Sequence, residues 1–98
     1  MSQTDNFSQS IMGWGIRGSV EIVEMILEIC ENGALKTHIM YKCNLNSNQV
    51  ARYVKFLQNH KLIEDQKYSP HSKRVTFRTT ERGKKYMQAY KQLENIFE

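Results

Sequence analysis

Asn48, Arg52, Lys55 and Asn59 stand four, three and four residues apart. On a helix that spacing gathers them on one side. Together they supply two amides, a guanidinium and an ammonium. Asn and Arg can each make paired hydrogen bonds to a base edge in a major groove, and all four types reach phosphate oxygens. No Asp or Glu occurs anywhere from Ser47 to Asn59. A solvated helix face normally mixes both signs of charge, so that absence points to a polyanion. Ser47 and Asn48 lie at the start of the segment and suit a helix N-terminus equally well.

The elements that must position this face are legible around it. Val50, Tyr53, Val54 and Leu57 recur at i, i+3, i+4 and i+7, which predicts a buried opposite side. Asn46 followed three residues later by Gln49 has the spacing of a capping box, so Gln49 is assigned to the cap. A short helix over about Lys36 to Lys42 precedes it, with Ile39 and Met40 facing inward and Cys43-Asn44 ending it. Two helices joined by a tight turn, the second amphipathic and basic, form a helix-turn-helix.

Upstream, Val20, Val23, Ile26, Leu27 and Cys30 make an apolar stripe that Ile22, Met25 and Ile29 widen. Ser19 is expected to cap this first helix, with Glu21 and Glu24 favoured near its positive end. Asn32-Gly33 stops it, Gly33 supplying a positive φ. Downstream, Leu62-Ile63 opens a strand to about Tyr68. Ser69-Pro70-His71-Ser72 is turn chemistry, and Arg74 to Thr79 returns, with Val75, Phe77 and Thr79 on one face and Thr76 and Arg78 on the other. Thr80 can cap a last helix to the C-terminus. Tyr41, Tyr53, Phe56, Tyr68 and Phe77 are read as packing residues. A single-strand binder would instead expose aromatics between basic residues.

Charge divides the chain. Residues 1–35 hold one basic residue, Arg17, against five acidic ones, a balance of −4. Residues 36–98 hold thirteen basic against five acidic, a balance of +8. A field of that sign attracts polyanions and holds them by counterion release. Ninety-eight residues suffice for one small core. No apolar run approaches the roughly 18 residues of a membrane span, and no signal peptide is recognisable. Cys30 and Cys43 fit neither a redox pair nor a zinc pattern with the three histidines, and are read as reduced, half-buried thiols of a cytosolic protein. There is no phosphate loop, nucleophile elbow or metal spacing, so no catalytic residue, metal or cofactor is expected.

The order helix, helix, helix, hairpin, helix is that of a winged helix-turn-helix, mainly α with a small β-hairpin (α+β). Arg17-Gly18-Ser19-Val20-Glu21-Ile22-Val23, Lys36-Thr37-His38-Ile39-Met40-Tyr41, Asn44-Leu45, Arg52-Tyr53-Val54-Lys55 and Thr80-Glu81-Arg82-Gly83 together resemble the archaeal winged-helix family of ten-kilodalton chromatin proteins and small transcription regulators. The resemblance covers about residues 17–97. It implies double-stranded DNA binding by a homodimer, often through a C-terminal antiparallel helix pair. Three features depart from the family: an N-terminal extension, a wing loop lengthened through Pro70, and Lys61 where Gly often precedes Leu-Ile. The third helix is therefore expected to end through Asn59 or His60 in a left-handed conformation.

The chain accordingly divides into a partly mobile extension over 1–16, a winged domain over 17–80 and a C-terminal dimerisation helix over 81–98. Trp14, between Gly13 and Gly15, is too apolar for a free tail and is expected to dock on the domain or on a partner subunit. The expected DNA contacts are Lys36 and Thr37 at the start of the second helix, Ser47, Asn48, Arg52, Lys55 and Asn59 on the third, and Lys73, Arg74 and Arg78 on the wing. Tyr86, Tyr90, Leu93 and Phe97, at spacings of four, three and four, form the expected dimer seam. The expected role is a cytoplasmic, nucleoid-associated transcription regulator. The alternatives are a chromatin-type protein with little sequence preference, or a winged helix used for protein interaction.

Overall fold

The computed structural model describes residues 18–67 and 75–97, with the side chain of Lys67 outside that description. Its elements run α1 (Ser19–Ile29), a 3₁₀ turn (Cys30–Asn32), β1 (Ala34–Leu35), α2 (Lys36–Cys43), α3 (Ser47–Asn59), β2 (Ile63–Lys67), β3 (Val75–Thr79) and α4 (Glu81–Ile96). The expected helix order and the antiparallel hairpin are present. The extension, Tyr68, the turn at Ser69 to Ser72, Lys73 and Arg74 lie outside the described residues.

The three strands form one antiparallel sheet in the order β1-β3-β2. Ala34 pairs with Phe77 and Leu35 with Thr76, while Ile63 pairs with Thr79 and Lys67 with Val75. The short β1 escapes a reading by periodicity because two residues cannot display a period of two. It exists only because β3, some forty residues later, offers it an edge. Gly33, at φ +89, turns the chain from the 3₁₀ turn into β1, as expected of a residue that enters positive φ without cost.

The core joins Ile22, Val23, Ile26 and Leu27 of α1 to Ile39 and Cys43 of α2, Val50, Tyr53, Val54 and Leu57 of α3, Ile63 and Phe77 of the sheet, and Met87 of α4. The i, i+3, i+4, i+7 set on α3 is buried as predicted. α1 is hydrophobic on most of its surface because α2, α4 and β3 all pack against it. Burial takes in Glu24 as well. The sequence places that carboxylate beside the helix dipole, whereas the fold seats it under α4, where burial and then Glu28 push its pKa up.

Several local expectations need correction. Gly18, not Ser19, is the N-cap of α1, and no side chain caps that end. Cys30 and Cys43 are fully buried rather than half-buried. Tyr41 and Phe56 are exposed, not packed inside. The left-handed residue after α3 is Lys61 itself, at φ +60, while His60 has φ −93. The Lys61 amide donates to the Gln58 carbonyl and its own carbonyl accepts from Thr80 Oγ1 at 2.7 Å, so tertiary hydrogen bonding holds a Lys where glycine is the unstrained choice.

Candidate nucleic-acid interface

α3 begins with both halves of the predicted capping box. The Gln49 amide donates to Asn46 Oδ1 at 2.8 Å, and the Asn46 amide donates to Gln49 Oε1 at 2.9 Å. Two of the amides that a helix start leaves open are thereby satisfied, which fixes where the helix begins and so which residues face outward. Ahead of it, Asn44 adopts the left-handed conformation at φ +55 and ends α2. The turn between the helices is thus three residues, Asn44 to Asn46, with Leu45 buried as its anchor.

With that start, Asn48, Arg52, Lys55 and Asn59 fall within roughly 60° of arc at 3.6 residues per turn. All four are exposed, as is Ser47 at one margin. Among the described residues neither Arg52 nor Lys55 forms an ion pair; the pair found there is Lys84 with Glu81, at 3.6 Å on α4. The two cations on α3 therefore meet solvent without an acidic partner from the described fold. Lys36 and Thr37 are exposed at the start of α2, an end without a side-chain cap, so its first amides point toward the same solvent. Arg78 is exposed on β3, opposite Glu64 of β2. Lys73 and Arg74 lie outside the described residues.

A second feature of α3 is one the sequence reading does not foresee. Phe56 is 49% exposed, and its ring lies 4.4 Å from that of His60, centroid to centroid. A signal for it exists: Phe56 follows Arg52 by four and Gln49 by seven, which assigns it to the margin of the polar face rather than to the core. On that margin Gln49, Arg52 and Phe56 form one wall of a groove of about 660 Å³, whose other walls are Val20 and Val23 of α1 and Tyr86 of α4.

The expected dimer seam is divided by the fold. Tyr86 packs against its own core and its hydroxyl donates to the Val20 carbonyl at 3.3 Å. Met87 is buried in the same core, and Tyr90 is half-buried. Leu93, Ile96 and Phe97 are 54%, 71% and 85% exposed.

Residues 16–98 match the family described as winged helix-turn-helix. The chain belongs to that family. Its fold recurs in Sso10a-2, a DNA-binding protein from Sulfolobus solfataricus, with a TM-score of 0.71 at 24% identity over 82% of this chain and 81% of that one. It recurs in a PadR family transcription regulator from Clostridium difficile, with a TM-score of 0.69 at 19% identity over 78% and 88%. It recurs again in MepR of Staphylococcus aureus in complex with DNA, with a TM-score of 0.69 at 17% identity over 91% and 73%. At these identities the likeness is one of fold. No curated protein sequence matches the chain at significance. The winged helix-turn-helix expected from the order of elements is thus present, as is the likeness to a DNA-binding protein of an archaeon, and the fold is one that DNA-binding regulators use. Among the described residues no cluster of three or more His, Cys, Asp or Glu side chains could hold a metal ion, and no helix is long and apolar enough to cross a membrane.

Proposed function

We propose that this winged helix-turn-helix protein binds duplex DNA as a homodimer and acts as a transcription regulator, with α3 in the major groove and the wing along the flanking backbone. The observation that carries this reading is the α3 face itself: two amides and two cations on one narrow arc, without a carboxylate on the helix or an ionic partner among the described residues. Asn48 and Arg52 read base edges, and Lys55, Asn59 and Ser47 meet edges or phosphates along the groove. Lys36 and Thr37 hold a phosphate at the open end of α2. Lys73, Arg74 and Arg78 follow the backbone from the wing. No catalytic step, metal or cofactor enters this mechanism, and a cytoplasmic, nucleoid-associated location follows from it.

Four or five side chains can read a half-site, so a two-fold pair is what makes a longer operator readable. Leu93, Ile96 and Phe97 support such a pairing, since three large apolar side chains on the last turns of α4 stand in solvent within one subunit. Tyr90 extends the patch toward the core, and Tyr86 contributes by positioning the helix.

Binding to random duplex measured against salt concentration tests the interface. Arg52→Ala with Lys55→Ala is expected to lower the salt slope by about one for each phosphate the variant no longer neutralises. Unchanged affinity of the double variant at low salt would remove the groove assignment, and no salt-dependent binding at all would favour a protein-interaction module. Footprints at discrete palindromic sites support a regulator, whereas uniform coverage supports a packaging role. Light scattering tests the pairing: a monomeric wild type sinks the two-fold arrangement, and Leu93→Glu with Phe97→Glu is expected to convert a dimer to a monomer.

A further inference from the structure

The groove between α1, α3 and α4 is apolar along Val20, Val23, Tyr53 and Phe56, and carries one charged group, Arg52, at its rim. Its volume of about 660 Å³ lies within the range of about 300–1,000 Å³ that takes a compact organic group. Two of its walls, Val20 at 38% and Phe56 at 49%, are large apolar side chains left open to solvent by the described residues. The described chain begins at this groove, because Ser19 lines it and Gly18 enters α1 in an extended conformation. Ahead of Gly18 the sequence changes character: residues 1–10 are mostly polar, whereas Ile11, Met12, Trp14 and Ile16 are apolar.

We propose that residues 11–16 fold back onto their own domain and fill this groove, with the Trp14 indole as the principal occupant. Reach permits it. Trp14 lies four positions ahead of Gly18, and an extended chain of that length spans about 13–14 Å. Chemistry favours an indole over an aliphatic side chain. A planar aromatic lies well against Tyr53 and Phe56, and its face attracts the Arg52 guanidinium. The extension thereby supplies the missing wall of the groove. It also meets the DNA-facing arc at one shared side chain, Arg52.

Trp14 is the chain's one tryptophan, so intrinsic fluorescence reports on it alone. In the full-length protein without DNA, its emission is expected to be blue-shifted and shielded from acrylamide, compared with the urea-unfolded chain. Val20→Gln and Phe56→Gln, both at exposed positions, are each expected to shift emission to the red and to restore quenching several-fold toward the unfolded value. Circular dichroism is expected to stay unchanged in both. Solvent-like emission in the folded wild type overturns the proposal. So does shielded emission that neither groove variant alters while both remain folded, because Trp14 then docks elsewhere. Shielding that disappears on dilution as light scattering shows dimers separating also overturns it, because the groove is then filled by a second copy. None of these readouts depends on DNA binding.

Discussion

Gly83→Ala is the substitution whose cost can be worked most directly from the structure. Gly83 lies in the first turn of α4, and its amide donates to Thr80 Oγ1 at 3.0 Å. A Cβ added there would stand 2.4 Å from the Leu62 carbonyl oxygen and 2.6 Å from Thr79 Cγ2. Real Cβ atoms essentially never come closer than 3.0 Å to such neighbours, so α4 must retreat from Leu62 by at least about 0.6 Å. A rotamer change cannot relieve this, because the nearest obstacle is main chain. The same Leu62 carbonyl accepts from the Thr80 amide at 3.0 Å and from Thr80 Oγ1 at 3.1 Å, so retreat also loosens the N-cap. Overpacking costs about 1–3 kcal/mol, and a weakened cap adds about 1 kcal/mol. The better helix propensity of Ala returns about 1 kcal/mol. The net loss is about 2 kcal/mol, which for a domain of this size lowers Tm by roughly 8–16 °C. Calorimetry at one fixed protein concentration measures it, since assembly would otherwise shift Tm. Ala89→Gly, exposed on the same helix, isolates the propensity part and is expected to cost about 1 kcal/mol. An unchanged or raised Tm for Gly83→Ala would mean that α4 does not approach Leu62 this closely, and the packing of α4 on the core would have to be redrawn.

Lys61→Gly is expected to raise stability by about 0.5–1 kcal/mol in urea titration, because it relieves a left-handed residue at some cost in unfolded-chain entropy; a loss would show that the Lys side chain contributes more than its backbone strain removes. Glu24→Gln tests the buried carboxylate. Its folded pKa is raised by burial and by Glu28, so the native state holds the proton more tightly and stability falls as pH rises from the unfolded value of about 4.3 through the folded one. The variant should therefore be more stable than wild type at pH 7 and nearly equal to it at pH 4, and a larger gain at pH 4 would reverse the argument. Burial, then the neighbouring Cys43, pushes the Cys30 thiol up to about 12. Thiol-reactive dyes at pH 8 are expected to label neither cysteine in the native protein and both after unfolding; rapid native labelling would contradict the closed core.

The α3 face is legible in the sequence because everything that builds it is local. Asn46 and Gln49 are three residues apart, and the buried and exposed sets differ only by helical phase. The same holds for Gly33 and Asn44, whose residue types announce the backbone they adopt, and for Thr80 as the cap of α4. Phe56 is misplaced by weighing its hydrophobicity above its position, although its phase relative to Arg52 puts it beside the polar arc. β1, the exposure of Tyr41 and the left-handed Lys61 have no comparable local signal. Each depends on what lies across space: the free edge of β3 beside Ala34, the absence of a described neighbour over Tyr41, and Thr80 bonding to the Lys61 carbonyl.

From the sequence alone came the order of the four helices and the hairpin, the capped third helix, its acid-free polar arc and the split of charge between the two parts of the chain. These follow from short-range rules of capping, periodicity and turn chemistry, which act within a few residues. Tertiary structure decided the rest. It divided the helical seam of α4 by packing Tyr86 against the domain's own core and leaving Leu93 and Phe97 outside, although these three share one face of the helix. It also brought Val20 of α1 to the same groove as Arg52 and Phe56 of α3. Both outcomes depend on where neighbouring helices lie and where they end, and the spacing of residues along one helix carries no information about either.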